Sequence, residues 1–217
     1  MVFRAPSAIA LLLGSVVVSG CASTYYQALE NVGIEKRDLL VRRVDNARDA
    51  QAGAQEEFKD ALTQYRELVN FDGGDLAATY DRLSKQYAKL EGEANVVRSR
   101  IDSIENVGSA LFREWRQELN DYSSADLRRR SEQQLRDTEA RYEQVLSAMN
   151  AAADRMDPVM EVFEDQVLFL KHNLNARAIA GLDAELAQIE TRVDALIREM
   201  DRAIAEAEAF IAAMPAS

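Results

Sequence analysis

The chain has 217 residues, with 37 acidic against 26 basic side chains and a net charge of −11. A chain this acidic repels phosphate backbones, so nucleic acid is not expected as a partner. With one cysteine and one histidine, it lacks the ligands for a protein-held zinc ion and leaves His172 as the only base for a nucleophilic triad.

The N-terminus reads as a lipoprotein leader. A cationic start, Met1 to Arg4, precedes an apolar run from Ala8 to Val18. Small residues follow at Ser19 and Gly20, and the chain's only cysteine stands at Cys21. This is the form of a secretory signal peptide whose cleavage site ends in cysteine, and Val18-Ser19-Gly20-Cys21 resembles the lipobox of bacterial lipoproteins. The resemblance implies that the Cys21 thiol is diacylated, that the peptide is cut before it, and that the new amine is acylated. The apolar stretch is shorter than the roughly 20 residues a membrane span needs. Each buried methylene contributes about 0.8 kcal/mol, so several acyl chains such as palmitate make a lasting anchor. Ala22 follows the cysteine where a retention signal would place Asp, which by resemblance implies the outer membrane with the body in the periplasm. The expected organisation is a leader at 1–20, a lipidated tether at 21–25 and a helical domain at 26–217.

Beyond the leader the composition is that of helices. Ala, Leu, Glu, Arg, Asp and Gln dominate, and proline occurs only at 6, 158 and 215. No stretch alternates with the period of a strand. The first helix is expected from about Tyr26 to Asn70, with Leu29, Val32, Leu40, Val44, Ala47, Ala54, Phe58, Leu62, Tyr65 and Val69 on one stripe. Tyr25 and Tyr26 suit either a membrane interface or an ordinary helix. Lys36, Arg37, Arg42 and Arg43 stand among acids and read as a solvated face, with contact to anionic lipid heads as the alternative.

Phe71-Asp72-Gly73-Gly74 is a helix stop, and so short a connection turns the next helix back antiparallel. In the second helix Leu76, Tyr80, Leu83, Tyr87, Leu90, Ala94, Val97, Ile101 and Ile104 step alternately by four and three, a filled heptad seam. The stripe continues through Val107, Leu111, Trp115, Leu119 and Tyr122, with Gly108 marking a bend or a close helix approach, and Phe112 and Trp115 are assigned to the core, with an exposed binding patch as the alternative. A second turn falls at Asn120 to Ser124, where Ser123 with Asp126 resembles a capping box. The third helix opens near Ala125 with a stripe from Leu127 to Leu174. It carries the basic cluster Arg128, Arg129 and Arg130, which has acidic neighbours and reads as solvent-exposed. Pro158 kinks or splits this helix, and a kink is expected because the stripe crosses it in phase. The last helix begins at Ala176 or Leu182 and ends at Ala213, on the stripe Leu182, Leu186, Ile189, Val193, Leu196, Met200, Ile204, Ala207 and Ile211.

The fold expected is all-α, an elongated antiparallel bundle or coiled coil of about four long helices. No catalytic residue, metal site or cofactor is assigned. A dinuclear metal site would need paired Glu-x-x-His motifs, and the residue three before the lone His172 is Phe169. The motif left over is Val167-Leu168-Phe169-Leu170, whose four consecutive apolar residues overfill a single stripe and mark a contact patch. The expected function is therefore a non-catalytic scaffold or protein-interaction element, bound to the membrane through its lipid, with a protein partner and self-association through heptad seams both open. Two alternatives stand beside it: an amphipathic membrane-binding or envelope-stress protein, and a small-ligand-binding helical module.

The lipobox, the segment Tyr26 to Glu30 with Val32-Gly33-Ile34-Glu35-Lys36-Arg37 after it, and the run Asp165 to Ala176 together resemble an uncharacterised family of Gram-negative lipoprotein-like proteins, a domain-of-unknown-function family. The likeness covers nearly all of the chain after the leader. It implies an all-helical envelope protein and carries over no functional residue.

Overall fold

A computed structural model describes residues 26, 35–70, 76–173 and 176–214, with the side chains of 176–181 left aside. Four α-helices make up almost all of it: α1 Lys36–Val69, α2 Leu76–Glu118, α3 Ala125–His172 and α4 Ala176–Ala213. No strand occurs among the described residues. The fold is the all-α bundle expected from the stripes. The chain divides into two compact units, Met1–Ile34 and Glu35–Ser217, and the second holds all four helices. In the first, Tyr26 is helical and buried. The lipobox residues Val18, Ser19, Gly20 and Cys21, like Tyr25, Leu29, Val32, the stop at 71–74, Leu174 and Pro215, lie outside the described residues.

Each helix packs on two neighbours, in the order α1, α2, α3, α4 and back to α1. Cross-links along the seams fix the antiparallel sense. On α1 and α2, Lys36 meets Glu114 at 2.9 Å while Glu57 meets Lys89 at 2.6 Å. On α1 and α4, Gln55 donates to Asp201 at 2.6 Å and Arg66 pairs with Glu190 at 2.8 Å. The diagonal from α1 to α3 runs parallel. Gln51 donates to the Met149 carbonyl at 3.2 Å, and the rings of Tyr65 and Phe163 meet edge-on at 6.1 Å. Both pairs are separated by 98 positions, so one register holds across the centre of the bundle. At 1.5 Å per residue the 48 residues of α3 make a rod of roughly 70 Å.

The stripes give the core. Leu40, Val44, Ala47, Ala54, Phe58, Leu62 and Tyr65 of α1 are buried, as are Leu83, Leu90, Ala94, Val97, Ile101 and Ile104 of α2. Each large aliphatic or aromatic side chain taken fully from water contributes about 1.5–3 kcal/mol, and Phe58, Tyr65, Phe163 and Phe210 are among the largest that are fully buried. The seams drift near the helix ends. Leu68 is buried and Val69 is half-buried. On α4, Ala203 and Phe210 are buried while Ile204 and Ile211 are half-buried. A straight helix turns 3.6 residues per turn, so a strict heptad stripe walks off the packed face by about 20° each repeat.

Three details depart from the sequence reading or settle it. Ser124, not Ser123, caps α3: its side chain accepts from the Leu127 amide at 3.3 Å, and Asp126 pairs with Arg129 and Arg130 instead of closing a capping box. Tyr122 and Leu127, expected on the apolar stripes, are exposed at 41% and 53%. And α3 passes through Pro158 as one helix. The proline is on the solvent face with Asp154, so water can serve the Asp154 carbonyl that loses its amide partner. Neighbouring helices brace this point. Arg98 of α2 pairs with Asp157, and Arg192 of α4 donates to the Pro158 carbonyl at 2.8 Å.

Gly108 is a close approach. A Cβ built there would stand 2.4 Å from the Tyr142 ring of α3, which in turn meets the Phe112 ring at 5.1 Å. Phe112 is buried, as expected, and Trp115 is half-buried with its indole nitrogen donating to Ser131 at 2.8 Å.

Candidate functional site

The run Val167-Leu168-Phe169-Leu170 closes α3, and helical periodicity divides it. Leu170 is fully buried and Val167 half-buried, whereas Leu168 and Phe169 are exposed at 55% and 42%. Two residues of the four can therefore meet a partner. The helix end is built to hold them. The Asn173 side chain donates to the Phe169 carbonyl at 2.9 Å, and its backbone amide donates to the Leu170 carbonyl at 3.1 Å. Carbonyls that the last helical turn leaves open are thereby satisfied. His172 is the final residue of α3 and is exposed. One helix over, the Tyr87 hydroxyl is pushed up to about 12 by burial and by the carboxylates of Glu91 and Glu164.

The other end of the bundle is where α1 starts and α2 ends. Lys36 and Glu114, Trp115 and Ser131, and Arg116 and Glu139 bind neighbouring helices together in this layer. Open grooves lie around it, three of which bear on the layer's charges. One of about 320 Å³ is lined by Lys36, Arg37, Glu114 and Trp115, and one of about 230 Å³ by Arg37, Trp115, Arg141 and Met214. The third, about 570 Å³, follows the α2–α3 seam past Glu105, Arg116, Glu139 and Tyr142. Their walls carry both signs: Glu35, Glu114 and Glu118 with Lys36 and Arg37 in the first, Asp137 with Arg37 and Arg141 in the second, and Glu105, Glu139 and Glu143 with Arg116 in the third. Among the described residues no three His, Cys, Asp or Glu side chains come together as metal ligands, and no helix is long and apolar enough to cross a membrane.

Inside the bundle the unusual group is Gln51. It is wholly buried, its amide nitrogen donates to Met149, and its side-chain oxygen has no hydrogen-bond partner. The sequence reading passed over it. A lone glutamine between Ala47 and Ala54 was the signal, because a polar residue at a seam position commonly fixes register at a cost in stability. Gln55, also buried, gives α1 a second polar tie, to the Ile197 carbonyl at 3.3 Å and to Asp201.

No curated protein matches this chain, and no solved structure does. A family model described as "Protein of unknown function (DUF2959)" matches residues 25–214, a span that takes in all four helices. The chain belongs to the DUF2959 family of proteins of unknown function.

Proposed function

We propose that the chain is a lipid-anchored protein of the cell envelope, held at Cys21 in the outer membrane with its body in the periplasm, and that it works by non-catalytic contact with a protein partner. The observation that carries the contact is the exposed Leu168–Phe169 pair on a helix end closed by Asn173. Large apolar side chains next to one another on a surface cost free energy in water and regain it when covered. The anchor is supported by the leader and by a lone cysteine at the position a lipobox requires. Open grooves whose walls carry several charged side chains suit a small apolar ligand poorly, so the ligand-binding reading has less support than the contact reading.

Two experiments test the parts separately. Palmitate labelling is expected to mark the wild-type chain, globomycin to block its processing, and Cys21→Ala to abolish the label. A wild-type chain that is processed but unlabelled would leave only an ordinary secreted protein. Photo-crosslinking in cells from a probe residue at 168 or at 169 is expected to capture one defined product, weakened when the other residue of the pair is changed to Ser. Equal yields from 168 and from exposed Glu91 would show that the pair is ordinary surface.

A further inference from the structure

The α2–α3 hairpin tip, residues 119–131, differs from the rest of the surface. Within it three arginines stand against two aspartates, with Glu132 one residue beyond, in a chain whose acids outnumber its bases 37 to 26. Arg128, Arg129 and Arg130 are exposed on the first two turns of α3, and Leu127 and Tyr122 are exposed beside them at 53% and 41%. Leu127 is the one long aliphatic residue of the expected α3 stripe that the described bundle leaves in water. The arginines are only loosely held. Arg129 and Arg130 share the single carboxylate of Asp126, and Arg128 reaches Glu132 at 3.1 Å. Exposed pairs of this kind are worth about 0–1 kcal/mol and yield to a better anion. The tip itself is firm. Ser131 is buried and accepts from the Trp115 indole at 2.8 Å and from the Tyr122 hydroxyl at 3.4 Å, while Leu119 is buried at the foot of the turn.

We infer that this tip is a docking surface for an anionic phospholipid bilayer: Arg128, Arg129 and Arg130 take the lipid phosphates, Leu127 enters the acyl boundary and the Tyr122 ring lies at the interface. Guanidinium forks match phosphate oxygens, and a tyrosine's apolar ring and polar hydroxyl suit the headgroup layer. The acidity of the whole chain disfavours anionic surfaces in general but acts only weakly at the tip. Charges more than about 8 Å away are largely screened at physiological ionic strength, and the bundle runs for several times that length. The inference rests on the anchor reading only for the bilayer's presence near the tip; the contact itself needs no acyl chain.

The test uses residues 22–217, which contain the whole four-helix unit and no acylation site, in cosedimentation with vesicles of phosphatidylglycerol and phosphatidylethanolamine, about one part to three. Binding is expected there and absent on phosphatidylcholine. Replacing Arg128, Arg129 and Arg130 together by Gln is expected to weaken it about 100-fold, and Leu127→Ser about tenfold, with helix content by circular dichroism unchanged. Leu168→Ser/Phe169→Ser is expected to bind as wild type. Loss of binding in that far-end variant, equal binding by the arginine variant, or displacement from vesicles by millimolar inorganic phosphate at constant ionic strength would each overturn the inference. Absence of binding to anionic vesicles would overturn it too, and would leave the palmitate result at Cys21 untouched.

Discussion

Gly108→Ala should destabilise the bundle, against the usual rule for glycine inside a helix. Alanine is favoured over glycine at an interior helical position by about 1 kcal/mol. At Gly108 the added Cβ would stand 2.4 and 2.6 Å from two ring carbons of Tyr142 and 2.8 Å from its hydroxyl oxygen. Ordinary contact begins near 3.4 Å, so the ring must retreat by about 1 Å. It is buried and set edge-on against Phe112 at 5.1 Å, so the retreat disturbs a second core residue. Overpacking of this kind costs about 1–3 kcal/mol. Set against the propensity gain of about 1 kcal/mol, the net change runs from about zero to a loss of about 2 kcal/mol, a fall in Tm of up to roughly 4–8 °C for a domain of this size. Gly92 is the internal control, because a Cβ there has no heavy atom within 4 Å, and Gly53 meets only Glu93 at 3.9 Å. Gly92→Ala and Gly53→Ala should each gain about 0.5–1 kcal/mol. Urea and thermal unfolding of the three variants supply the comparison. The Tyr142→Leu background should relieve part of the Gly108→Ala loss, with a coupling of about 1 kcal/mol. A Gly108→Ala protein as stable as Gly92→Ala would show that α2 and α3 do not approach as described.

Gln51→Met should raise stability by about 1 kcal/mol in urea unfolding, since it removes a wholly buried amide whose oxygen is unpaired while keeping its length; a loss of similar size would mean the amide is fully satisfied. Ser124→Ala should cost about 1 kcal/mol and Ser123→Ala almost nothing, because only Ser124 accepts from the Leu127 amide; the reverse order would restore the cap read from sequence. Burial, with the charges of Glu143 and Glu105, pushes the Tyr142 hydroxyl up to about 12, from about 10 in an unfolded chain. Its contribution is complete below pH 10 and is lost as pH rises through 12, so folding stability should decline across that window. Tyr142→Phe should reduce that decline by roughly 2 kcal/mol at pH 11.5, and an unchanged slope in its pH-dependent unfolding would show that the group titrates as if exposed.

How much was legible in advance can be traced residue by residue. The stripe from Leu83 to Ile104 names its own buried face, because a helix can hide only the side chains that return every three or four positions. The stop between Asn70 and Leu76 and the Asn173 helix end follow from equally local chemistry. Pro158 was ambiguous because a proline's cost depends on what lies around it. Here the solvent face and the braces from Arg98 and Arg192 let the helix continue. Leu127 was misplaced for the same kind of reason: its spacing fits the α3 stripe, yet at the hairpin tip it remains in water.

Local pattern thus determined that the described bundle is made of four helices, where most of them stop, and which side chains form most of its core. Tertiary structure alone decided the order in which the helices close on each other, the common offset of Gln51–Met149 and Tyr65–Phe163, and the contact that forbids a side chain at Gly108. The division follows from range. Periodicity, capping and turns are set by neighbours within one or two helical turns, whereas register and exposure depend on surfaces that meet only after about a hundred intervening residues have folded.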